Sequence, residues 1–351
     1  MSARLGLSAL TRERLQRFAR VLVLSGLIGA AYGIRNESSA ASLAVKALAG
    51  AVDGALIAAC IAGIEIFALR SGPLRAIARL PFAAVLGLKS VAYAGLAVAL
   101  LAAQPGERLA GVGPYGATDL ARTVGFSLVV TTLFIVLYQA AGLVGYRTFR
   151  ELVLGKYRSP RAERRFFLFI DVVGSSALAE RLGPLRAHQY LSRLFTLAAE
   201  PIAARRGEIY QYVGDEIVVT WPERDGALDA RPIRCYFEVC AALASQAGLF
   251  RDRFGVEPQL RAALHVGEVI VGEVGVERRA IVFHGDVMNA TARLEQATRE
   301  LGCRFIASSE AMRALGSPPD LVLRDLGALA LRGREEPLRA FCVDERGGLR
   351  T

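Results

Sequence analysis

Long apolar segments dominate the first 146 residues of the chain, and shorter ones follow. Four apolar segments lie at roughly 18–34, 47–69, 80–103 and 123–146. Each is close to the ~20 residues that a helix needs to cross the hydrocarbon core of a bilayer. The first has no small-residue cleavage site, which favours a retained span over a cleaved signal peptide. The pattern therefore predicts a bundle of four transmembrane helices over residues 1–146.

Beyond residue 165, short apolar runs alternate with segments whose apolar positions have helical periodicity. The run RFFLFIDVV at 165–173 predicts a buried strand. Further strands are predicted over 208–221 as a hairpin, 259–275 as a pair, 278–285, 304–308, 321–331 and 337–343. Helices are predicted over 175–206, with a break at Gly183–Pro184, and over 232–253 and 287–301. Strands mixed with helices on one side indicate an α+β domain over residues 166–344.

Basic residues are distributed unevenly around the four predicted spans. They concentrate before the first span, between the second and third, and after the fourth: Arg4, Arg12, Arg14, Arg17 and Arg20; Arg70, Arg75 and Arg79; Arg147, Arg150, Lys156, Arg158, Arg161, Arg164 and Arg165. By the positive-inside rule, both termini and the α+β domain face the cytoplasm. Residues 147–165 form a basic connector, which either tethers the domain with lipid-facing charge or transmits a signal between the two halves.

Three charged residues interrupt the predicted spans. Asp53, Glu65 and Lys89 fall within the second and third apolar segments. Such residues either form a ligand or ion site or pair with one another inside the bundle. Since no transport motif accompanies them, the buried pair is the favoured interpretation. Gly50 and Gly54 form a GxxxG step, which is suited to close helix packing within or between chains.

The composition agrees with a membrane protein that carries a cytosolic domain. Of the 351 residues, 53% are hydrophobic, the mean hydropathy is +0.35 and the formal net charge is +10. The five cysteines are scattered without regular spacing, which favours reduced thiols over a disulfide framework. The three histidines do not have the spacing of zinc ligands.

Two aspartates stand at the ends of apolar strands. Asp171 ends FLFID, and Asp215 lies at the tip of the hairpin YQYVGDEIVVTW at 210–221. A carboxylate in such a place is poorly solvated unless it is paired or binds a cation. Mg²⁺ prefers carboxylate oxygens together with substrate phosphates, and two such ions can clamp the attacking and leaving oxygens of a phosphoryl transfer. Glu216, the next residue, is expected to be a nearby or surface acid and not a ligand.

Two further groups of residues suit phosphate chemistry. Gly174 allows a tight turn, and Ser175 or Ser176 can cap the following helix, whose free N–H groups would then bind phosphate. The alternative is helix capping alone. Asn289 and Arg293 are four apart on one helix face, where an arginine can offset the charge of a reacting phosphate. The alternative is an ordinary solvent-facing polar pair.

Three motifs occur together in one order. They are FxDxxGS at 169–175, VGDE at 213–216 and GDxxNxxxR at 285–293. Their residues and spacing resemble the class III nucleotide cyclases, and the resemblance covers about 165–344. The apolar spans followed by LGKYRSPRAERRFFLFID also resemble a membrane-anchored bacterial subgroup of that family. The resemblance implies a palm-like, ferredoxin-related α+β catalytic domain that a four-helix transmembrane bundle holds at the bacterial inner membrane.

The resemblance also implies roles for the site residues. The catalytic domains would pair head to tail as a homodimer, with active sites at the interface. Asp171 and Asp215 of one chain, helped by the backbone carbonyl of Val172, would hold two Mg²⁺ or Mn²⁺ ions. Asn289 and Arg293 of the other chain would orient the ribose and stabilise the transition state, while the 3′-OH attacks the α-phosphorus and pyrophosphate leaves.

The residues near the base and the triphosphate depart from the family's patterns. Arg334 matches the region where the family places a basic residue on the triphosphate, although the local length differs. Gln211 stands where adenylate cyclases usually have lysine, and Val282 where they have aspartate or threonine. Guanylate cyclases typically have glutamate and cysteine there, so neither pattern fits. A glutamine amide can read adenine because it offers a donor and an acceptor. Bacterial members mostly make cyclic AMP, so ATP is the expected substrate and GTP the alternative.

Three other functions stay open. A catalytically weak receptor could bind the nucleotide, although all metal and transition-state residues are present. The sequence VGDEI is close to the GGDEF signature of diguanylate cyclases, but the missing first glycine, Ile217 in place of phenylalanine and the downstream Asn289 and Arg293 argue against that class. A small transporter is the third alternative, but the sequence has no transport motifs to support it. The expected partners are the nucleotide, a second copy of the chain and the lipid bilayer; no nucleic acid is expected.

Overall fold

The chain is organised as two compact units. The computed structural model describes residues 8–35, 42–68, 81–103, 105–110, 116–276, 279–316, 318–331 and 336–346. One unit comprises Thr11–Leu154, and the other consists mainly of Gly155–Thr351. The division falls within the predicted connector.

The first unit is helical. Its helices are α1 (Ala9–Arg35), α2 (Leu43–Gly63), which a π-helical segment continues over Ile64–Ala68, α3 (Phe82–Ala103), α4 (Pro105–Ala110), α5 (Ala117–Val144) and α6 (Tyr146–Val153). Within the described ranges, four helices are long and apolar enough to cross a membrane: Ala9–Arg35, Leu43–Phe67, Ala84–Ala110 and Ala117–Gly142. The prediction of four helices of membrane-spanning length and hydropathy is confirmed, and the first begins well before residue 18.

The charged residues inside these helices have polar partners. Lys89 Nζ lies 2.8 Å from Glu65 Oε1, and the Tyr93 hydroxyl donates to the same oxygen across 3.0 Å. The predicted buried pair is therefore confirmed for Glu65 and Lys89, and it compensates a charge that an apolar bundle would otherwise disfavour. Asp53 is engaged differently. Its Oδ1 accepts the N–H of Gly106 at 2.9 Å, which ties α4 to α2.

Glycines let α1 and α2 pack backbone against backbone. A Cβ at Gly50 would lie 2.1 Å from the carbonyl oxygen of Gly29, and a Cβ at Gly33 would lie 2.2 Å from that of Lys46. Neither position accepts a side chain unless a helix moves. Gly54 approaches α1 in the same way. The predicted GxxxG step of Gly50 and Gly54 thus packs two helices of one chain.

Gly50→Ala is expected to lower the free energy of unfolding of this unit by about 1–3 kcal/mol, because the added methyl group overpacks the contact with Gly29. Gly95→Ala on α3 is the matched control, since nothing lies within 4 Å of the Cβ that it adds. Thermal unfolding of the full-length protein in detergent, followed by circular dichroism, measures both. Equal melting temperatures for the two variants would contradict the close packing.

The second unit is built on a mixed sheet. Its strands are β1 (Arg161–Val172), β2 (Glu208–Val213), β3 (Glu216–Pro222), β4 (Leu260–Val274), β5 (Ala280–His284), β6 (Phe305–Ser308), β7 (Leu321–Leu329) and β8 (Leu338–Glu345). In the described residues the order is β2-β3-β1-β4-β6-β8-β7, and β5 pairs with β4 beside this path. The β4–β6 pair is parallel and the others are antiparallel. β1 therefore lies between β3 and β4.

Helices cover both faces of this sheet. They are α7 (Ser175–Leu182), α8 (Pro184–Ala204), α9 (Glu223–Ala227), α10 (Arg231–Ala244), α11 (Ala247–Phe254), α12 (Asp286–Leu301) and α13 (Ser309–Leu315). Successive side chains of a strand point to opposite faces. Phe166 of β1 packs in one core with Tyr190 of α8 and Tyr236 of α10, whereas Phe167 packs in another core with Val287 of α12. The α+β class is confirmed, but the expectation of helices on one side is wrong because β1 is apolar on both faces.

The predicted connector is partly regular structure. It contains most of α6 and the first residues of β1, with Pro160 just before that strand. Arg165 is only 1% exposed within β1, and its guanidinium lies 2.9 Å from Glu163 and 2.8 Å from Glu208. Its Nε also donates to Thr220 Oγ1 across 3.1 Å. The expectation of lipid-facing charge is therefore wrong for Arg165, since its partners hold it inside the sheet.

Candidate active site

Asp171 and Asp215 meet at one end of the sheet. Asp171 is the penultimate residue of β1, and Asp215 lies in the turn between β2 and β3. β1 pairs with β3 up to Ile170 and Ile217, so the strand end and the hairpin turn are neighbours. Gly214 has a φ of +63°, which favours glycine in this tight turn. The two carboxyl groups are within hydrogen-bonding distance of each other.

The proximity of these two acids separates their pKa values. Burial pushes the pKa of Asp171 upward, but hydrogen bonds from Asp215 and Arg261 bring it below its ordinary value. Burial raises the pKa of Asp215, the adjacent Asp171 raises it further, and a hydrogen bond from Ser175 only partly opposes this. Two carboxylates this close do not both ionise easily, so without a cation the pair tends to share one proton.

Two arginines that the sequence analysis did not single out bind Asp171. Arg261 stands opposite Asp171 on β4, with Nη2 2.7 Å from Asp171 Oδ2. Arg299 of α12 lies 3.3 Å from the same oxygen. Arg261 Nε is also 2.9 Å from Glu295 Oε1, so another acid joins the group. The four-residue spacing of Glu295 and Arg299 is visible in the sequence, but the approach of Arg261 depends on the pairing of β1 with β4.

Glu216 belongs to the same acidic group. It is the first residue of β3 and is half-buried. Burial raises the pKa of Glu216 to about 7, with further contributions from the negative charges of Glu295, Asp171 and Asp215. Of the two expectations for Glu216, an acid close to Asp171 and Asp215 describes its position better than an acid on the surface. Four carboxyl groups therefore surround the strand end with two guanidinium groups.

This excess of carboxylates fits divalent cations. Across the described part of the chain, no group of three or more His, Cys, Asp and Glu residues is arranged to hold a metal ion. Asp171 and Asp215 form a pair, however, and a bound cation would offset both the burial and the neighbouring Asp171 charge that raise the pKa of Asp215. Mg²⁺ sites commonly use one or two carboxylates and take their other ligands from phosphates and water. Asp171 and Asp215 are therefore chemically suited to such ions.

The turn after β1 departs from the predicted helix cap. Gly174, with a φ of +72°, is the N-cap of α7 and makes no side-chain cap bond. The expectation that Ser175 or Ser176 caps the helix is therefore wrong, because both lie inside it. The hydroxyl of Ser175 instead bonds to Asp215, and Ser176 is exposed. Val172 is buried, and its backbone aligns with Leu260 of β4.

The structure does not bring Asn289 and Arg293 to Asp171 of the same chain. Asn289 is exposed and Arg293 half-buried, both on α12. At ~100° per residue, Asn289 and Arg293 lie roughly 80–160° around the axis of α12 from Glu295 and Arg299. Glu295 and Arg299 form the face of α12 that contacts Asp171. Asn289 and Arg293 thus lie on a different face of α12 from the residues that approach that carboxylate.

The two predicted base-recognition positions lie on β2 and β5. Gln211 is exposed beside an irregularity in the β2–β3 pairing, and Val282 is half-buried opposite Gly272. Tyr210 and Phe283, which adjoin them in sequence, pack edge to face with ring centroids 4.8 Å apart. This contact connects the two strands. Arg334 lies outside the described residues.

The fold and the three motifs agree with the comparison to known families. The profile of the adenylate and guanylate cyclase catalytic domain matches residues 158–344, more than half of the chain. The chain therefore belongs to the class III adenylate and guanylate cyclase family, and the resemblance drawn from the motifs is confirmed. Membership implies the general use of divalent metal ions, in agreement with the carboxylate pair.

Individual relatives extend this result. Adenylate cyclase 2 of Rhizobium meliloti (strain 1021) is 38% identical over 218 residues, which are 62% of this chain and 60% of that protein. Adenylate cyclase 1 of the same strain is 30% identical over 188 residues, 50% of this chain and 27% of that one. The chain spans less than two thirds of the length of either. A solved bacterial light-regulated adenylyl cyclase shares the fold, with a TM-score of 0.52, 20% identity and 66% coverage of each chain.

Proposed function

We propose that this protein is a membrane-anchored nucleotide cyclase that converts ATP into 3′,5′-cyclic AMP and pyrophosphate at sites shared by two chains. The arrangement of α12 carries the proposal. Its Arg299 contacts Asp171 of the same chain, whereas Asn289 and Arg293 lie on a different face of the helix. A site that needs all of these groups is completed by a second copy of the chain in head-to-tail pairing. The names of the two relatives favour ATP over GTP.

One chain holds the phosphates. Asp171 and Asp215, with the carbonyl of Val172, would bind two Mg²⁺ or Mn²⁺ ions, which supply positive charge to the reacting phosphate when bound. Arg261 and Arg299 keep the Asp171 carboxylate oriented through their contacts at 2.7 and 3.3 Å. The free N–H groups that begin α7, at Gly174, Ser175 and Ser176, bind phosphate oxygens. Arg334 is assigned to the triphosphate on its position in the sequence.

The partner chain holds the sugar. Asn289 of the partner subunit orients the ribose, so that the 3′-oxygen faces the α-phosphorus. Arg293 of the partner subunit donates to the phosphate oxygens as negative charge increases in the transition state. The 3′-hydroxyl releases its proton to water as its oxygen bonds to the α-phosphorus, and the bond from that phosphorus to pyrophosphate breaks.

Base selection is assigned to Gln211 and Val282. The Gln211 amide can donate to and accept from an adenine edge, whereas the apolar Val282 contributes shape alone. A guanine edge also offers both donors and acceptors, so a guanylate cyclase is the alternative. A catalytically weak nucleotide-binding receptor is the second alternative.

The proposed organisation divides the chain into three parts. Residues 1–146 form the membrane domain, 147–165 the connector and 166–344 the catalytic domain, with the connector supplying the first residues of β1. The basic residues on alternate sides of the four spans favour both termini and the catalytic domain on the cytoplasmic side of the bacterial inner membrane.

A product assay tests the activity and its base preference. Full-length protein in lipid nanodiscs with Mn²⁺ is expected to form cyclic AMP from labelled ATP at least ~10-fold faster than cyclic GMP from labelled GTP, because mispaired polar groups in a base site discriminate strongly. An Asp171→Ala preparation gives the background. A clear excess of cyclic GMP would favour the guanylate alternative. Binding of either nucleotide with no cyclic product from both would favour the receptor and contradict the enzyme.

A further inference from the structure

A cavity lies inside the helical unit between α1, α2 and α5. Its volume is about 70 Å³. Most of its wall is apolar. The polar and aromatic residues at this wall include Ser25, Tyr32, Asp53, Phe126, Ser127 and Thr131. A largely apolar wall with a few convergent polar groups is typical of a small-molecule binding site.

Asp53 places a buried carboxylate in the wall of the cavity. Among the described lining residues, it alone is an Asp, Glu, Lys, Arg or His. It is 5% exposed, and its Oδ1 accepts the Gly106 N–H at 2.9 Å. A carboxylate offers about four acceptor positions, so it can accept N–H groups from a ligand as well as from the backbone. In surroundings of low dielectric constant, its attraction for a cation is stronger than in water.

The aromatic part of the wall suits a flat or apolar ligand body. Tyr32 of α1 and Phe126 of α5 stack with ring centroids 4.2 Å apart and planes 11° from parallel. Aromatic faces attract organic cations in addition to providing apolar surface. The close backbone contact of Gly29 with Gly50 fixes α1 against α2 beside the cavity. The wall is thus preformed on three helices, which reduces the cost of ordering it around a ligand.

We propose that this cavity binds a small organic ammonium ion. The amine donates to the carboxylate of Asp53, and the aromatic or aliphatic body of the ligand packs against the apolar wall beside Tyr32 and Phe126. The proposal gives the helical unit a ligand-binding role of its own, and it does not depend on the cyclase activity of the other unit.

A fluorinated probe tests the site directly. Full-length protein in phosphatidylcholine nanodiscs is titrated with 4-fluorobenzylamine, and bound probe is detected by its ¹⁹F transverse relaxation after subtraction of empty nanodiscs. A ligand of this size is expected to bind with a Kd on the order of 0.1–1 mM. Asp53→Asn should weaken binding at least ~10-fold, because the charge that attracts the amine is removed. Ser127→Leu should weaken it similarly by filling the cavity.

Two controls separate charge from shape. Asp119→Asn removes an acid of the same unit that does not line the cavity, and it should leave binding unchanged. The neutral probe 4-fluorobenzyl alcohol should lose binding in Ser127→Leu but not in Asp53→Asn. If Asp53→Asn does not fold, Ser127→Leu still shows whether the probes bind in the cavity, and the two probes still show whether the site prefers an amine to an alcohol. Relaxation equal to that in empty nanodiscs, amine binding that survives Ser127→Leu, or equal affinity for alcohol and amine would overturn the proposal.

Discussion

Co-expression of Asp171→Ala chains with Arg293→Ala chains is expected to restore about a quarter of the wild-type cyclase activity. Each variant alone should lose at least ~100-fold, since it lacks either a metal ligand or a transition-state donor. In the proposed dimer, a mixed pair has one site with both defects and one intact site. Random pairing makes about half of the dimers mixed, and half of the sites in those dimers work. Cyclic AMP formation in membranes from cells that express both chains measures the effect.

A second mixture provides the matched control. Asp171→Ala with Asp215→Ala places both defects in the same half of the site, so no mixed dimer has an intact carboxylate pair. Activity should stay at background, although the chains co-purify as before. Restoration in this control, or its absence in the first mixture when both chains are present in one dimer, would contradict a site shared as we propose.

The positions of the two aspartates could be predicted because they depend on local sequence. The apolar run before Asp171 places β1 in the sheet interior, and Gly214 lets β2 turn into β3 at Asp215. The break between α7 and α8 at Gly183–Pro184 and the four apolar helices are local features of the same kind. In each case the residues that determine the feature lie within one element or one turn.

The charges around Asp171 could not be predicted because they depend on long-range pairing. Arg261 meets Asp171 across the β1–β4 register, although 90 residues separate them along the chain. Arg165 has the sequence context of a basic connector, yet Glu163 and Glu208 compensate its charge inside the sheet. The second helical layer was missed for a related reason. A continuous apolar run such as FFLFI has no alternation, so it does not show how many faces are covered.

Asp215→Asn is expected to stabilise the metal-free catalytic unit by about 1 kcal/mol, which raises its melting temperature by about 2–4 °C. The change removes one of four crowded carboxyl groups while its amide can still bond to Asp171. The folded state raises the pKa of Asp215, and that of Glu216 to about 7, so bound protons stabilise the wild type. Wild-type stability should therefore fall as pH rises from about 4 to about 7, and the variant should lose less. The chain's single tryptophan, Trp221, is buried on β3 and reports unfolding of this unit by fluorescence.

Metal ions should reverse the order of stability. Mn²⁺ at about 100 times its dissociation constant adds about 2.7 kcal/mol to a protein that binds it only when folded, so wild type should melt above Asp215→Asn once the ion is present. The same variant should lose at least ~100-fold in cyclase activity.

Asp252→Asn, at an exposed acid on α11, controls for the change in net charge and should behave as wild type in both conditions. If Asp215→Asn were less stable than wild type without metal, and if Mn²⁺ stabilised both proteins equally, the cation would have to bind elsewhere. The combination of higher metal-free stability and lost activity is expected only where the crowding of carboxylates is itself the requirement for binding the ion.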